Sequence, residues 1–421
     1  MRPVTPRGFR DVLFEEASER RAVAGAMGEA FERAGYRFVE TPALEEYATL
    51  QAGAGPALER SAFRMVDLDG SLLALRPEMT LPIARLAASR LAGEPVPYRV
   101  CYLGEVFREQ ASLRGEARQF TQAGVELVGS NGPESDAEIV TVLVETLAAS
   151  GLADFTVGLG TVAVLRALID ASGGEDAWAS DVLAAAHARN LVAIDRLAEA
   201  DGIKPAVGAA LRRVVRIGGG AEAIADCREV AVGAGCADAL VSLQRTWALL
   251  EASGVAERVR VDFGILRSFD YYTGLIVEAY APGLGLSLGG GGRYDDVLAA
   301  FDRPMPAAGF ALSLERVMIA LAEQSVEVPV RGLDAVVGGE ALDVARSCAR
   351  LRSAGWRVRV AAGPEADLPS EAAATGAASW LSAGDAFATL IGGGTIALDP
   401  LPAPPTLAGA ETGGIPRQEV R

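Results

Sequence analysis

Residues 118–129, RQFTQAGVELVG, constrain the fold more than any other stretch of the chain. Read as a strand, the segment sends alternate side chains to opposite faces, so Gln122, Gly124 and Glu126 point the same way. Two polar side chains then flank a residue that has none, which leaves a gap over the sheet. A ligand carrying donors, such as an ammonium or an imidazole, fits such a gap. Taken alone, the segment reads more simply as a solvated strand face.

The surrounding pattern is mixed. Val23, Met27 and Phe31 recur every four positions in a helix predicted over 15–35, with Gly35 as its stop. GYRFVETPALEEY (35–47) reads as a strand ended by Pro42, and 72–129 alternates short β-like runs with turns. SDAEIVTVLVETLAASG (135–151) carries capping-box spacing at Ser135 and Glu138, an apolar face of Ile139, Leu143 and Leu147, and a stop at Gly151. Residues 160–257 are Ala-rich and helix-forming. RVRVDFGIL (258–266) alternates strictly, GLIVEAYAPG and the glycines 289–292 suggest a hairpin, and GFALSLERVMIALAEQ suggests a strand feeding a helix. Beyond about 327 the order is strand, helix, strand, and then a Pro/Gly-rich tail.

Composition narrows the function. The chain has 421 residues, 39 Lys+Arg against 55 Asp+Glu and a net charge of -16, with half of its residues hydrophobic. That is globular, and at roughly 150 residues per domain it predicts two to three domains. The acidity argues against an overall polyphosphate-binding surface. Lys204 is the one lysine and His187 the one histidine, so multi-histidine metal sites are excluded and His187, far from the other motifs, reads as a surface residue. Cys101, Cys227, Cys236 and Cys348 form no CxxC pair and read as reduced thiols of a cytoplasmic protein. No signal peptide is visible, and no charge-free apolar run reaches the roughly 18 residues of a membrane span.

Further polar constellations have plain readings of their own. LRSFDYYTG (266–274) groups Arg267, Asp270, Tyr271 and Tyr272, which suit a carboxylate clamp and the walls of a small pocket, or an ordinary hairpin with aromatic packing. GGGGRYDD (289–296) lacks the GK[ST] or GxGxxG of a nucleotide loop, so its glycines read as close strand packing. RPEMT (76–80) and FRE (107–109) place an arginine beside an acid, a weak signal in either case.

The order of these segments resembles the histidyl-tRNA synthetase branch of the class II aminoacyl-tRNA synthetases, from about residue 5 to 325. PRGFRDVLFEEASER with GYRFVETPALE is similar to the first motif, RPEMT to the amino-acid loop, and Phe107-Arg108 through RQFTQAGVELVG to the second motif. LRSFDYYTG and GGGGRYDD are similar to the histidine-specific segments, and GFALSLER, ending at Arg316, to the third motif. The resemblance implies an α+β fold: an antiparallel sheet flanked by helices over 1–326, a helical insertion at about 170–257, a small α/β C-terminal domain over 327–398 and a flexible tail over 399–421. It also implies a histidine pocket of Glu78, Met79, Thr80, Arg108, Gln122, Glu126, Arg267, Tyr271, Tyr272 and Tyr294, with no cofactor and no metal.

Departures from the synthetase pattern turn the reading away from catalysis. Gln110 stands where a glutamate helps hold adenine, Glu116 where an arginine is usual, and Ser313 where the third motif has glycine. From Arg331 to Arg421 there are 8 Arg, no Lys and 10 Asp+Glu, a net of −2, and an anticodon-binding face is basic. ARQFTQAGVELVG and the helix after it resemble a related family, the regulatory subunits of ATP phosphoribosyltransferase. That resemblance implies a non-catalytic, histidine-sensing subunit that binds a short-form catalytic subunit, confers feedback inhibition by histidine, forms homodimers and binds no tRNA. Because Arg108, Arg267 and Arg316 are retained, an active synthetase is the second reading, and a histidine-binding scaffold for another partner the third.

Overall fold

The computed structural model describes residues 4–53, 59–109, 117–265, 272–363 and 367–404. The chain forms two compact units, Met1–Val328 and Pro329–Arg421.

The first unit is built on a nine-stranded sheet. Its strands are β1 (Arg37–Phe38), β2 (Tyr98–Phe107), β3 (Gln119–Val128), β4 (Thr156–Thr161), β5 (Gly218–Gly219), β6 (Val259–Asp262), β7 (Leu275–Tyr280), β8 (Gly289–Arg293) and β9 (Ala307–Ser313). Their spatial order is β1-β2-β3-β9-β8-β7-β4-β6-β5. All neighbours run antiparallel except β1 with β2 and β4 with β6. The stretch 35–47 does not form one strand. Only Arg37 and Phe38 join the main sheet, while Leu44–Glu46 pairs in a separate three-stranded sheet with Leu72–Leu75, which also pairs Arg64–Val66. Pro42, between the two pieces, has no amide to donate to a continuing ladder.

One face of the nine-stranded sheet carries the core. Ala123, Val125 and Leu127 of β3 and Phe310 and Leu312 of β9 pack under α1 (Phe14–Arg33) and α2 (Pro133–Ala149), against Val23, Met27, Phe31, Ile139, Leu143 and Leu147. The Phe31 and Phe310 rings meet at 6.1 Å, tilted by 59°. The helix α2 starts three residues earlier than the capping-box spacing suggests: Pro133 takes the first position after Gly132. Ser135 bonds instead to Ser130 and Asn131, and Glu138 is drawn to Tyr36 and Arg99, at 2.9 and 2.7 Å. Proline at the first helical position needs no amide partner, so a start at 133 needs no serine cap.

The other face of the sheet is nearly bare at its centre. Register places Gln122, Gly124 and Glu126 of β3 opposite Ser313, Ala311 and Gly309 of β9, and Gly309 and Ala311 opposite Gly292 and Gly290 of β8. Gly289 and Gly291, on the helix-packed face, are required by the approach of β9. A Cβ at Gly291 would lie 2.0 Å from the Gly309 carbonyl oxygen, and one at Gly289 2.1 Å from that of Ala311.

Between β4 and β6 the chain makes six α-helices: Ala163–Ser172, Asp176–His187, Leu191–Ala198, Pro205–Val214, Ala221–Gly233 and Val241–Ala252. The alternation after 258 is realised as Val259, Val261, Phe263 and Ile265, all buried, with Arg260 exposed. His187 is exposed at the end of its helix, and the four cysteines are buried with free thiols.

The second unit has five strands in the order Val358–Val360, Ala335–Gly338, Ser379–Ser382, Phe387–Leu390 and Thr395–Ala397, the first three parallel, with helices Ala341–Ser353 and Leu368–Thr375. Of the expected tail, residues 399–404 are described, and Trp356 Nε1 donates to the Pro402 carbonyl at 3.1 Å. No described helix is long and apolar enough to cross a membrane.

Because the β8–β9 contact leaves no room for a methyl group, Gly291→Ala is expected to destabilise the protein by about 1–3 kcal/mol or more. A urea midpoint equal to the parent's would contradict this packing.

Candidate functional site

The bare face of the sheet becomes a site where three segments meet over β3. The first is the loop of residues 76–79. Arg76, 7% exposed, donates to the carbonyls of Glu105, Thr41 and Pro42, so its role is to hold the loop rather than to pair with Glu78. The Glu78 carboxylate turns instead onto the start of α3 (Thr80–Ala88), accepting the Thr80 and Leu81 amides at 2.6 and 2.7 Å. The amide of Met79 donates to Gln122 Oε1 at 3.0 Å, and the Met79 side chain covers Gly104 of β2. Loop and strand are thereby locked together.

Glu126 is the centre of the site. It is 1% exposed and takes donors from three elements. Thr80 Oγ1 donates to its Oε1 at 3.0 Å, the Tyr102 hydroxyl to the same oxygen at 3.1 Å, and the Tyr294 hydroxyl to Oε2. Gly309 opposite makes this possible, since a Cβ there would sit 1.8 Å from Glu126 Oε2. Burial pushes the Glu126 carboxyl up to about 8, against the pull of Tyr294 and Thr80, and the neighbouring Glu78 adds to the rise. Burial also raises Glu78, opposed by the Leu81 and Thr80 donors and by the Arg108 charge. Burial raises the Tyr272 phenol too, with Glu126, Glu78 and Glu278 as the charges around it. Two buried carboxyls that both resist ionisation form an environment where a cation is worth more than in water.

Tyr294 is aimed by its neighbours. Arg293, 5% exposed, bonds Asp136 at 2.7 Å and Asp295 at 3.1 Å, while the Asp295 amide donates to Thr273 Oγ1 at 3.0 Å. The Tyr272 ring closes over Gly292, 2.9 Å from where a Cβ would stand. Arg108 lies at the rim, its Nε donating to the Pro77 carbonyl at 2.7 Å and its guanidinium 5.1 Å from the Phe120 ring centre.

Glu78, Met79, Thr80, Gln122, Glu126, Tyr272 and Tyr294 are thus neighbours over β3, with Arg108 bonded to the adjoining loop. Arg267 and Tyr271, and the departures Gln110 and Glu116, lie outside the described residues. The gap expected over Gly124 is partly filled by Tyr102, whose hydroxyl lies 2.6 Å from the position of a Cβ on Gly124. The reading of 118–129 missed Tyr102, and pairing β2 with β3 would have found it, because Tyr102 stands directly opposite Gly124. The Arg293–Asp136 pair spans 157 residues and has no local signature. Ser313 has a structural use: its Oγ caps the helix Leu314–Glu323, accepting the Arg316 amide at 3.4 Å.

Comparison with known proteins places this geometry. The family model for histidyl-tRNA synthetase matches residues 8–317. The ATP phosphoribosyltransferase regulatory subunit of Moorella thermoacetica is 38% identical over 377 residues, covering 90% of this chain and 96% of that protein. The chain belongs to this regulatory-subunit family, a paralogue branch of histidyl-tRNA synthetase. The regulatory subunit of Rubrobacter xylanophilus is 40% identical over 83% of each chain. A solved structure from Bacillus halodurans, titled ATP phosphoribosyltransferase regulatory subunit/histidyl-tRNA synthetase, has a TM-score of 0.77 at 28% identity and covers 90% of this chain and 97% of its own. Histidyl-tRNA synthetase from Nostoc, at 21% identity and a TM-score of 0.79, shares the fold. The first unit of this regulatory-subunit relative is therefore a class II synthetase-like α+β core.

The raised Glu126 carboxyl has a stability consequence. Its folded value, about 8, lies above its ordinary 4.5, so its contribution to stability is full below the ordinary value and is lost as pH rises through about 8. Between about pH 5 and pH 8, unliganded parent protein should lose stability relative to Glu126→Gln by on the order of 1 kcal/mol per pH unit. Urea midpoints of the two proteins across that range check this, and parallel curves would contradict it.

Proposed function

We propose that this chain is the non-catalytic regulatory subunit of an ATP phosphoribosyltransferase, that it is required for the first step of histidine biosynthesis, and that L-histidine bound over β3 is the feedback signal. The catalytic work, joining ATP to phosphoribosyl diphosphate, falls to a short-form partner subunit in a cytoplasmic hetero-oligomer.

The observation that carries the reading is the environment of Glu126. A buried carboxyl held up to about 8 while three hydroxyls donate to it is a receptor for a positively charged or strongly donating group. An imidazole N–H or imidazolium against Glu126 supplies that group. Glu78 and Gln122 offer acceptors on the loop side, Arg108 is a cation for the carboxylate end, and Tyr272 and Tyr294 are the walls. Met79 contributes the amide that orients Gln122. Histidine then needs only a different affinity for two states of the complex, and coupling of about 1–3 kcal/mol is typical.

Loss of the synthetase reaction is supported by charge. Glu116 puts a carboxylate in a loop that meets nucleotide in synthetases, and the region from Arg331 to the end nets −2, which does not favour tRNA. The Arg316 guanidinium is tied to the Ser287 carbonyl at 2.8 Å. The exposed apolar residues Leu44, Met65, Val66 and Leu72 of the small sheet support a homodimer through this region.

Calorimetric titration should show saturable L-histidine binding by the purified protein. Glu126→Gln should weaken it by about 2–5 kcal/mol, thirtyfold or more. No binding at millimolar histidine, or equal binding by the variant, would refute the site; robust histidine-dependent pyrophosphate exchange would instead favour an active synthetase.

A further inference from the structure

A cleft lies in the helical insertion, apart from the residues gathered over β3. It has a volume of about 180 Å³ and opens between the helices Asp176–His187 and Leu191–Ala198 and the turn that follows β6. Its floor is apolar: Ala185, Ala186, Ile194 and Val215 are buried, and Leu191 stands at the side. Its rim carries one cation and one anion, Arg189 and Asp262, whose charged atoms are 3.5 Å apart and whose side chains are 56% and 40% exposed.

The rim is costly in a way that stability does not explain. Arg189 has φ +50, in the left-handed region. It ends the helix Asp176–His187 in a reversed turn, with the Arg189 amide bonded to the Ala186 carbonyl at 3.0 Å and the Asn190 amide to that of Ala185 at 2.8 Å. Glycine is the usual residue at such a stop, because a side chain there is strained. The exposed ion pair is weak compensation. What the strained arginine achieves is to place a guanidinium over the apolar floor, facing a carboxylate. That carboxylate is itself oriented, since Asp262 Oδ1 accepts the Gly264 amide at 2.7 Å.

We infer that this cleft binds a free aliphatic amino acid, with its carboxylate on Arg189, its ammonium on Asp262 and its side chain on the Ala185–Ala186–Ile194–Val215 floor. Three features select that class. A purely anionic or purely cationic ligand is repelled by one side of the rim, whereas a zwitterion satisfies both. A free amino acid carries both charges on one carbon, whereas a peptide terminus carries one of them and does not satisfy the rim. The volume is small: about 150 Å³ holds a benzene molecule, and drug-sized ligands need roughly 300 Å³ or more.

The cleft is connected to the rest of the unit through the turn at 262–265. Ile265, 2% exposed, lies over β4, 2.3 Å from where a Cβ would stand on Gly158, and the Asp262 and Ile265 carbonyls lie over Gly160. A ligand held by Asp262 therefore braces the segment that covers this end of the sheet.

The test uses the full chain and calorimetry with L-leucine and L-valine, with N-acetyl-L-leucine and L-leucine amide as probes that each lack one charge. The free amino acids should bind saturably, and each one-charge probe at least about tenfold more weakly. Arg189→Gly should lose binding by at least about tenfold while melting at the parent's temperature or above, because glycine suits this φ. Asp262→Asn should weaken binding similarly. Glu126→Gln, which does not line the cleft, should leave leucine binding unchanged. The assignment is overturned if neither amino acid binds at millimolar concentration, if a one-charge probe binds as well, if Arg189→Gly binds as the parent does, or if Glu126→Gln abolishes binding.

Discussion

The buried Glu126 carboxyl is the constraint around which the rest of the first unit is arranged. Taking a carboxylate out of water is costly unless donors or a cation compensate it. Three hydroxyls, from the start of α3, from β2 and from the residue that follows β8, converge on it. They compensate in part, yet burial still prevails and holds the group up to about 8. A residue kept in that condition is suited to a ligand that brings its own positive charge. The surrounding devices serve the same end: Gln122 fixes the loop, Arg293 with Asp136 fixes the strand that aims Tyr294, and Gly309 leaves the space that the carboxyl occupies.

Glycine is the second half of that arrangement. On the open face, Gly124, Gly292 and Gly309 give room to Tyr102, Tyr272 and Glu126, respectively. On the packed face, Gly289 and Gly291 let β8 and β9 approach closely. The same run of glycines therefore serves both a floor for polar side chains and tight strand pairing. No phosphate-cradling loop is needed to account for it.

Much of this was legible locally. The alternation at 118–129 put Gln122, Gly124 and Glu126 on one face, and the register of β3 with β9 and β2 shows them so. The apolar periodicity of α1 and the alternation after 258 likewise follow from short-range pattern. What was not legible depends on distant partners. Tyr102 matters only because β2 lies opposite Gly124. Asp136 looks like an ordinary acid in the first turn of a helix until Arg293 arrives from β8. The expected cap at Ser135 lost to Pro133, whereas the strand end expected at Pro42 is met, since no strand crosses it. Arg189, unremarked in sequence, became informative only through its positive φ beside an apolar cleft.

The most direct test of the account is a histidine titration of the reconstituted transferase, made from a short-form catalytic subunit and this chain. Histidine is expected to inhibit the complex containing the parent chain, and the complex containing Glu126→Gln to need at least about thirtyfold more histidine for the same inhibition. Equal inhibition of the two complexes at the same histidine concentration would contradict it, because the signal would then not pass through the buried carboxyl on which the site is built.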